Sequence, residues 1–477
     1  MSKTLKVLFL AAEAAPFVKI GGLADVAGAL PRALRALSEE DTGGVKLDVR
    51  LAIPLHMVIR TDAATLRPIA SFGIARAGRE VNAQIFASHS GDMPVYFVSG
   101  EPITTSASVY SSNAALDGEK YTFFSLAALE MTKHLDWQPD IVHVNDWHTA
   151  LAAYALQIKH WDGEMSGTKS LLTIHNLPFL GPHLTGRLAA YGLPLTQTDL
   201  PEWAHTLPLP LGIWASKKNV AVSPTYAKEM LTSAQGAGLE NFLTIHKDTL
   251  TGIINGIDAE SFDPQKDSAI PNNYSSENLK ERSWNKAALQ QMMGLEIDSS
   301  APIFGIVSRM TNQKGIDLAL DALSKLKRKF PWQAVILGTG DSLLEKQAKR
   351  LEKKMPERVK VEIRYDDRLA RKIYAGSDIF LMPSRYEPCG LSQMIAMRYG
   401  CLPIVRNTGG LKDTVRHGET GFVFEKENVK SLSVAIREAL AAYVNQDYWH
   451  SLQRNAMAED FSWKNSAKKY AALYQSL

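Results

Sequence analysis

Val18-Lys19-Ile20-Gly21-Gly22-Leu23-Ala24-Asp25 is the stretch from which the fold of this 477-residue chain can be inferred. The run from Leu5 to Ala11 before it is apolar and of strand length, and apolar residues recur at helical spacing from Leu23 to Leu37 after it. A lysine and two glycines therefore lie at a strand-to-helix turn, where free backbone N–H groups and the helix dipole can bind an anion. The alternative interpretation is a tight turn with a surface lysine. The pattern is not G-x-G-x-x-G, which disfavours an NAD-dependent oxidoreductase.

The bulk composition predicts a globular protein of two or three domains. Hydrophobic residues make up 45% and charged residues 22%, and the chain is too long for a single ordinary core. The 53 basic and 50 acidic residues leave a net charge of +3, which gives no reason to expect nucleic acid or a membrane surface as a partner. Two cysteines form no disulfide framework, which favours a reducing cytoplasm. Glu13 interrupts the first apolar run too early for a signal peptide, and no stretch approaches the roughly 18 apolar residues of a membrane span.

Strand-like runs alternate with helical patterns in both halves, which predicts mostly parallel α/β sheets. In the first half we expect a hairpin over 81–98, helices over 121–135 and after 148, and strands over 5–11, 45–53, 141–144, 170–174, 219–222 and 251–254. In the second half we expect strands over 303–307, 333–337, 359–363, 379–382 and 402–405, with helices near 316–329, 342–355, 368–376, 391–399 and 429–443.

Proline and polar segments divide this pattern further. Pro31 predicts a kink or a break in the first helix. Residues 177–214, rich in Pro, Leu and Gly, are typical of a binding loop or lid, with a mobile connector as the alternative. Ser223 and Pro224 form a strong helix start. The polar segment 259–300 indicates a domain boundary.

The residues that could carry chemistry cluster directly after predicted strands. Open α/β sheets bind ligands outside the carboxyl ends of their strands, so two such sheets facing each other would put these groups on the walls of one cleft. The clusters are Lys19 to Gly22, Asp146 to His148, His175-Asn176, Asn255 to Asp258, Ser308-Arg309, Gly338 to Gly340, Glu387 to Gly390 and Thr408 to Gly410.

In the second half, a basic pair and a carboxylate are the strongest candidates. Arg309 and Lys314 can converge on one anion, such as a pyrophosphate leaving group; otherwise one of them caps a helix and the other is solvated. Glu387 could hold sugar hydroxyls or stabilise positive charge on an anomeric carbon; otherwise it pairs with Arg385. Cys389 could be a reactive thiol, although an isolated cysteine is more often a small buried residue.

Two histidines end strands in the first half. A structural role remains open for His148, whereas Asn176 extends the polar edge beside His175 and favours a functional role there. No histidine or cysteine spacing is typical of a metal site, and Asp366-Asp367 lacks the D-x-D arrangement of metal-dependent sugar-nucleotide enzymes. We therefore expect no metal.

The motifs resemble those of bacterial glycogen synthases and plant starch synthases across nearly the whole chain. The matching segments are V-K-I-G-G-L-A-D-V (18–26), N-D-W-H (145–148), H-N-L (175–177), V-S-P-T-Y-A (222–227), N-G-I-D (255–258), S-R-M-T-N-Q-K-G (308–315), P-S-R-Y-E-P-C-G-L-S-Q (383–393), T-G-G-L-K-D-T-V (408–415) and D-F-S-W (460–463). The resemblance implies an α/β GT-B fold, with two Rossmann-like domains facing each other across a deep cleft. Residues 1–254 would form the acceptor-side domain, completed by a C-terminal helix within 460–477, and residues 255–459 the donor-side domain.

The resemblance also implies an activity: transfer of glucose from ADP-glucose to the non-reducing end of an α-1,4-glucan, either glycogen or a maltooligosaccharide, with retention of configuration. ADP-glucose would be a substrate, and no cofactor is expected. The catalytic residues would be Glu387, His175, Arg309 and Lys314. The substrate-binding residues would be Lys19, Gly21, Gly22, Asp25, Asp146, Asn176, Asn255, Tyr365, Cys389, Gly390, Leu391 and Thr408.

Three segments depart from the family pattern. Arg364-Tyr365 stands where Gly-Tyr is common, and the segments 176–181 and 215–219 also differ. Most of these changes fall on the acceptor side. Two alternatives therefore stay open: a related GT-B enzyme that uses UDP-glucose or a small-sugar acceptor, and a non-catalytic glucan-binding homologue. The sequence does not predict the oligomeric state.

Overall fold

A computed structural model describes residues 3–59, 66–159, 163–327 and 330–477. The strands are β1 Lys3–Leu10, β2 Val45–Pro54, β3 Arg67–Arg76, β4 Arg79–Ser90, β5 Met93–Gly100, β6 Ile141–Asn145, β7 Lys169–Ile174, β8 Lys218–Ala221, β9 Leu250–Gly252, β10 Ile303–Val307, β11 Gln333–Leu337, β12 Val359–Glu362, β13 Ile379–Met382, β14 Leu402–Arg406 and β15 Phe422–Phe424. The helices are α1 Gly22–Arg35, α2 Glu101–Thr104, α3 Ala114–Glu130, α4 Asp146–Ile158, α5 Arg187–Ala190, α6 Pro208–Ala215, α7 Pro224–Glu229, α8 Glu240–Ile245, α9 Arg282–Met292, α10 Ile316–Ser324, α11 Ser342–Lys354, α12 Asp367–Gly376, α13 Ser392–Arg398, α14 Gly409–Thr414, α15 Val429–Val444, α16 Gln446–Ala458 and α17 Trp463–Gln475.

The chain forms two compact units. Unit 1 comprises Met1–Gly256 and Trp463–Leu477, and unit 2 comprises Ile257–Ser462. The final helix α17 therefore belongs to unit 1, although it follows unit 2 in the sequence.

Unit 1 is built on a nine-stranded sheet in the order β3-β4-β5-β2-β1-β6-β7-β8-β9. Strand β4 runs antiparallel to both of its neighbours, and the other pairs are parallel. The hairpin predicted over 81–98 is present as β4 and β5. Strand β3 was not predicted, because most of its residues are exposed or half-buried and its apolar pattern is weak.

The core of unit 1 joins the first strand to the first and last helices. Val7 and Phe9 of β1, Leu30 of α1, and Tyr470 and Tyr474 of α17 are all buried in one apolar cluster. Ala467 and Ala471 on α17 belong to the same cluster, and such small residues allow close packing of helices. The tyrosines of α17 thus belong to the same core as the first strand and the first helix.

Unit 2 is built on a six-stranded, all-parallel sheet in the order β12-β11-β10-β13-β14-β15. Strands β11 and β13 are buried along their whole length, as expected for a parallel sheet that is covered on both faces. The strand order reverses between β10 and β13, and in unit 1 it reverses between β1 and β6. Ligands bind at such reversal points in open α/β sheets.

Several local predictions differ from the structure. Helix α1 continues through the buried Pro31, so the predicted break is absent, and the kink that was its alternative stays a prediction. Part of the predicted loop 177–214 is helix α6, whose Pro208 and Pro210 lie in the first turn, where backbone N–H groups need no helical partner. The polar segment 259–300, where a domain boundary was predicted, contains helix α9, which buries Leu289, and the two units divide just before it, between Gly256 and Ile257. Strand β15 and helix α16 were not predicted.

The remaining predicted elements agree with the structure to within a few residues, except at two helix ends. The predicted helix 121–135 begins earlier, at Ala114, and changes to a 3-10 turn after Glu130. The predicted helix 316–329 ends at Ser324, and its last two residues, 328 and 329, lie outside the described residues. Within the described ranges, no helix is long and apolar enough to cross a membrane.

Candidate active site

The reversal point of the unit 2 sheet brings Lys314 and Glu387 together. Lys314 lies in the turn after β10, and Glu387 lies in the loop after β13, the neighbouring strand. Lys314 Nζ donates to Glu387 Oε2 at 2.6 Å, and the Ser384 hydroxyl donates to the same oxygen at 3.0 Å. The side chains are only 15% and 7% exposed. The result is a nearly buried carboxylate that holds an ammonium group at the edge of the sheet where ligands bind.

Glycine makes the close approach of these two loops possible. Gly315 has φ +64°, and a Cβ placed there would lie 2.1 Å from the Pro383 carbonyl oxygen. The loop after β14 also approaches the Glu387 loop closely, since a Cβ on Gly410 would lie 2.2 Å from the Cys389 carbonyl oxygen. Gly410 N–H also donates to the Glu387 carbonyl at 3.0 Å. The backbone around Glu387 is therefore fixed by both neighbouring loops.

The alternative pairing of Glu387 with Arg385 is wrong. Arg385 instead donates to both carboxylate oxygens of Asp317, at 2.9 and 2.7 Å, and to Glu427 at 2.8 Å. The Arg385 pairing fastens the loop to helix α10. Because the Arg385 side chain points towards α10, the Glu387 carboxylate pairs with Lys314 and not with Arg385.

The second basic candidate, Arg309, is exposed, and no described residue bonds its guanidinium group. Its loop packs against the turn after β11: a Cβ on Gly338 would lie 1.9 Å from the Ser308 carbonyl oxygen. Gly338 and Gly340 therefore allow these two loops to pack closely beside Arg309. Convergence of Arg309 and Lys314 on one anion stays a prediction.

The other predicted residues of unit 2 lie at the same edge of the sheet. Tyr365 follows β12 and is 76% exposed. Cys389 is buried, which fits its interpretation as a small buried residue. Gly390, with φ +75°, and Leu391 lead into helix α13, and Thr408 is buried at the start of α14.

In unit 1, the turn at Lys19 does not offer the free donors that the sequence suggested. The buried Glu13 carboxylate already accepts the backbone N–H groups of Ile20 and Gly21 and the hydroxyl of Tyr110. Lys19 Nζ donates to Asp25 at 2.7 Å in a largely exposed pair. The Glu13 carboxylate therefore occupies much of the predicted anion site. Gly22 begins helix α1, and no described residue accepts its N–H.

Asp146 and His175 directly follow the neighbouring strands β6 and β7 in unit 1. Asp146 has φ +53°, a costly conformation for a residue other than glycine, and its Oδ1 accepts the backbone N–H of His175 at 2.7 Å and of Asn176 at 3.4 Å. Burial raises the pKa of Asp146 to about 7 and lowers the pKa of His175 to about 3. His175 is therefore a neutral imidazole at physiological pH, with its Nε2 2.9 Å from Asn145 Oδ1.

Two predicted amides at this edge keep buried, unpartnered oxygens. Oδ1 of Asn176 and Oδ1 of Asn255 have no hydrogen-bond partner among the described residues. Such an atom is costly to bury unless something pairs with it, so both are candidates to contact a polar ligand. His148 instead packs edge-on against Tyr121 and close to Trp147, and burial holds its pKa well below the usual range. That environment supports a structural role for His148.

Across residues 3–59, 66–159, 163–327 and 330–477, no three His, Cys, Asp or Glu side chains are grouped so that they could hold a metal ion. Asp366 caps helix α12 by accepting the backbone N–H of Leu369.

Comparison with known proteins agrees with the resemblance in the motifs. Residues 6–245 match the starch synthase catalytic domain, and residues 290–457 match the glycosyl transferases group 1. Glycogen synthase of Thermotoga maritima is 39% identical over 99% of this chain and 98% of the relative. The chain belongs to the glycogen and starch synthase family. Glycogen synthase of Streptococcus pneumoniae is 37% identical over 99% of this chain and all of the relative.

Solved structures place this glycogen and starch synthase homologue in the GT-B class. The catalytic domain of starch synthase IV from Arabidopsis thaliana, bound to ADP and acarbose, matches with a TM-score of 0.88 and 30% identity over 99% of both chains. Sucrose-phosphate synthase from Thermosynechococcus elongatus shares the fold with a TM-score of 0.64 at 18% identity, over 99% of this chain and 98% of that one. The chain is thus a glycosyltransferase of the glycogen and starch synthase type.

Sequence reasoning missed several residues around the family motifs. Glu13 accepts hydrogen bonds from the backbone of the Lys19 turn and from Tyr110, and the Ser384 hydroxyl donates to the Glu387 carboxylate. Gln393 ties down the Glu387 loop by donating to the Gly390 carbonyl at 2.9 Å and to Thr414 at 3.1 Å. Only Glu13 left a signal, as a lone acid shortly after the apolar run of β1.

Proposed function

We propose that this glycosyltransferase moves the glucosyl group of ADP-glucose to the non-reducing end of an α-1,4-glucan, with retention of the anomeric configuration. The observation that carries the proposal is the Lys314–Glu387 pair at 2.6 Å, in the loops on either side of the strand-order reversal of unit 2. The starch synthase IV structure bound to ADP and acarbose supports the choice of nucleotide.

The pair suits the charges that develop when a sugar nucleotide is cleaved. As the bond between the anomeric carbon and the diphosphate oxygen breaks, the diphosphate gains negative charge and the sugar gains positive charge. The Lys314 ammonium and the exposed Arg309 guanidinium would stabilise the diphosphate, and the Glu387 carboxylate would stabilise the sugar. An ammonium group has three N–H donors, so Lys314 can donate to Glu387 and to a phosphate oxygen at the same time.

The transfer balances without a cofactor. The acceptor hydroxyl oxygen forms the new bond to the anomeric carbon on the face from which the diphosphate leaves, and its proton passes to the departing phosphate oxygen. The products are ADP and a glucan longer by one glucose. Retention predicts that the product carries an α-linkage, which the coupling constant of its anomeric proton measures by NMR.

In the proposed complex, the nucleotide base stacks on the ring of Tyr365. The exposed ring offers a face on which a base can stack, and stacking of this kind is worth about 1–3 kcal/mol per base. Beside it, Arg364 is held by Glu362 and Asp366, so its guanidinium group is already neutralised. Tyr365→Ala is expected to raise the KM for the donor, whereas Tyr365→Phe keeps the ring and is expected to leave it nearly unchanged.

We also propose that the reaction needs no metal and takes place in the cytoplasm. Cationic side chains can neutralise the diphosphate in place of a metal ion, and activity is therefore expected to survive treatment with EDTA. Buried thiols at Cys389 and Cys401 support a reducing compartment.

One assay tests the function and its alternatives. The purified chain is incubated with ADP-glucose or UDP-glucose and a maltooligosaccharide, and both nucleotide release and chain length are followed, with Lys314→Met as the inactive control. We expect ADP release with stepwise elongation. Preference for UDP-glucose would favour the related-enzyme alternative, and glucan binding without nucleotide release would favour the non-catalytic one.

A further inference from the structure

One dipeptide at the end of β6 holds His175 by two different groups. Asp146 Oδ1 accepts the backbone N–H of His175 at 2.7 Å, and Asn145 Oδ1 lies 2.9 Å from Nε2 of its ring. Both contacts cross from β6 to the end of β7, its neighbour in the sheet. The backbone and the ring of one histidine are therefore fixed by consecutive residues.

The orientation of the Asn145 amide follows from its other contact. Asn145 Nδ2 donates to the Leu10 carbonyl at 2.9 Å. A carbonyl oxygen can only accept, so a reversed amide would place two acceptors against each other. Oδ1 must therefore face His175, and Nε2 of the imidazole must carry the proton.

The second ring nitrogen is left as an acceptor. No described residue bonds Nδ1 of His175, and this atom is not sealed off from solvent as Nδ1 of His148 is. Burial keeps the ring neutral, since it lowers the pKa of His175 to about 3. A neutral imidazole with its proton on Nε2 can only accept at Nδ1, so it cannot act there as an acid or as a positive charge.

We propose that Asn145 is a positioning residue, which holds the imidazole of His175 with its proton on Nε2 so that Nδ1 accepts a hydrogen bond from a hydroxyl group of the transferred glucose. This inference rests on the proposed function, because it takes His175 to contact the sugar. It assigns a role to a buried strand residue that carries no reactive group. It also gives His175 one defined task, the acceptance of a hydroxyl proton in a hydrogen bond.

The first test reads the tautomer without any substrate. In protein labelled with ¹⁵N-histidine, the two ring nitrogens of His175 have different chemical shifts, and the His175→Gln variant identifies the signal by its absence. We expect the wild type to show a single Nε2–H tautomer and Asn145→Ala to show a mixture. A wild type with the proton on Nδ1, or an Asn145→Ala variant with an unchanged spectrum, would overturn the inference.

The second test is a double-mutant cycle on turnover. Asn145→Ala is expected to lower kcat by about 10- to 100-fold, the effect of misplacing a group that contacts substrate. If Asn145 acts through His175, the Asn145→Ala/His175→Ala double variant is as active as His175→Ala alone, because the second change removes nothing more. Additive losses would overturn the positioning role.

Asn219→Ala is the matched control. Asn219 is also a buried amide of the unit 1 sheet, and its Nδ2 donates to the Ile213 carbonyl at 3.1 Å. We expect this variant to lose stability but to keep the His175 tautomer and near-normal kcat. An Asn219→Ala loss of kcat equal to that of Asn145→Ala would show a merely structural effect. Absence of glucosyl transfer in the wild type would instead refute the proposed function, and the tautomer measurement would still decide whether Asn145 holds the proton of His175 on Nε2.

Discussion

The turn after β1 and the turn after β10 look alike in sequence and differ in structure. Each follows a central strand of its sheet, beside the point where the strand order reverses, and each combines a lysine with glycine. In unit 2, Lys314 reaches a nearly buried carboxylate on the neighbouring loop. In unit 1, Lys19 pairs with Asp25 at the surface, and Glu13 occupies the backbone donors of the turn.

This difference shows what a lysine-glycine turn can and cannot indicate. The pattern predicts a place where an anion is stabilised, and both turns do hold a carboxylate. It cannot predict whether that carboxylate serves a substrate or belongs to the fold. In unit 1 the anion is the carboxylate of Glu13. In unit 2 the Lys314 ammonium bonds Glu387 and still has N–H donors that a diphosphate could accept.

The first prediction removes the carboxylate of unit 2. Glu387→Gln keeps the size of the side chain and deletes the charge that would face the sugar, so turnover is expected to fall on the order of 10³-fold with donor binding largely kept. Initial rates and equilibrium binding of ADP measure the two effects. Glu419→Gln, at an exposed surface pair, is the control. Unchanged turnover would rule out a catalytic role for Glu387.

The second prediction separates catalysis from stability at the same pair. Lys314→Met is expected to lower turnover by about 10²-fold or more. It also leaves Glu387 nearly buried without its cation, which is expected to cost about 3 kcal/mol in the free energy of unfolding. In the Lys314→Met/Glu387→Gln double variant the stranded charge is gone, so denaturation should show recovered stability while activity stays low. A double variant less stable than Lys314→Met would contradict this account.

The third prediction tests the close approach of the two loops. Gly315 and Gly294 have nearly equal φ, +64° and +62°, but only Gly315 would bring a Cβ against a backbone atom. Gly294→Ala is expected to cost about 1 kcal/mol for the left-handed conformation. Gly315→Ala is expected to cost about 1–3 kcal/mol more for the collision with Pro383 and to raise the donor KM. Equal costs in denaturant would show that the loops can separate freely.

The fourth prediction concerns the pH dependence of unfolding. Burial lowers the pKa of His56 to about 4 and of His175 to about 3, and holds the pKa values of His143 and His148 well below the usual range. These rings are neutral when folded and bind protons when unfolded below about pH 6.5, so they destabilise the fold as the pH falls from about 6.5 to 4. Asp146, with its raised pKa, acts in the opposite direction but is a single group.

Denaturation in urea at several pH values measures this dependence. His56→Gln, which keeps a donor for the Ala12 carbonyl, should flatten the slope because one proton-binding site is removed from the unfolded chain. Stability that rises on acidification would contradict the prediction.

The smallest effect on stability is expected in unit 1. Lys19 is 45% exposed in its pair with Asp25, and such pairs contribute about 0–1 kcal/mol, so Lys19→Ala should leave the Tm nearly unchanged. If Lys19 binds the donor, as the resemblance implies, the donor KM should rise clearly. A large loss of stability with normal donor kinetics would return this turn to a purely structural role.

The sequence by itself determined the two parallel-sheet units and the strand ends that carry the polar residues. Both follow from periodicity and turn residues within single segments, which the chain displays locally. Lys314, Glu387, Asp146 and His175 could be selected as candidates on this basis. Local patterns failed where burial was weak, as in β3, or where prolines hid a buried helix, as in α6.

Only the tertiary structure decided which groups meet. Glu387 pairs with Lys314 instead of the nearby Arg385 because the strand order makes β10 and β13 neighbours, while Arg385 turns towards Asp317 on α10. Glu13 closes the Lys19 turn, and Asn145 reaches His175 from the adjacent strand. Such pairings join residues that are distant in the chain, so no local pattern encodes them, and they settle which charged groups remain able to act on a substrate.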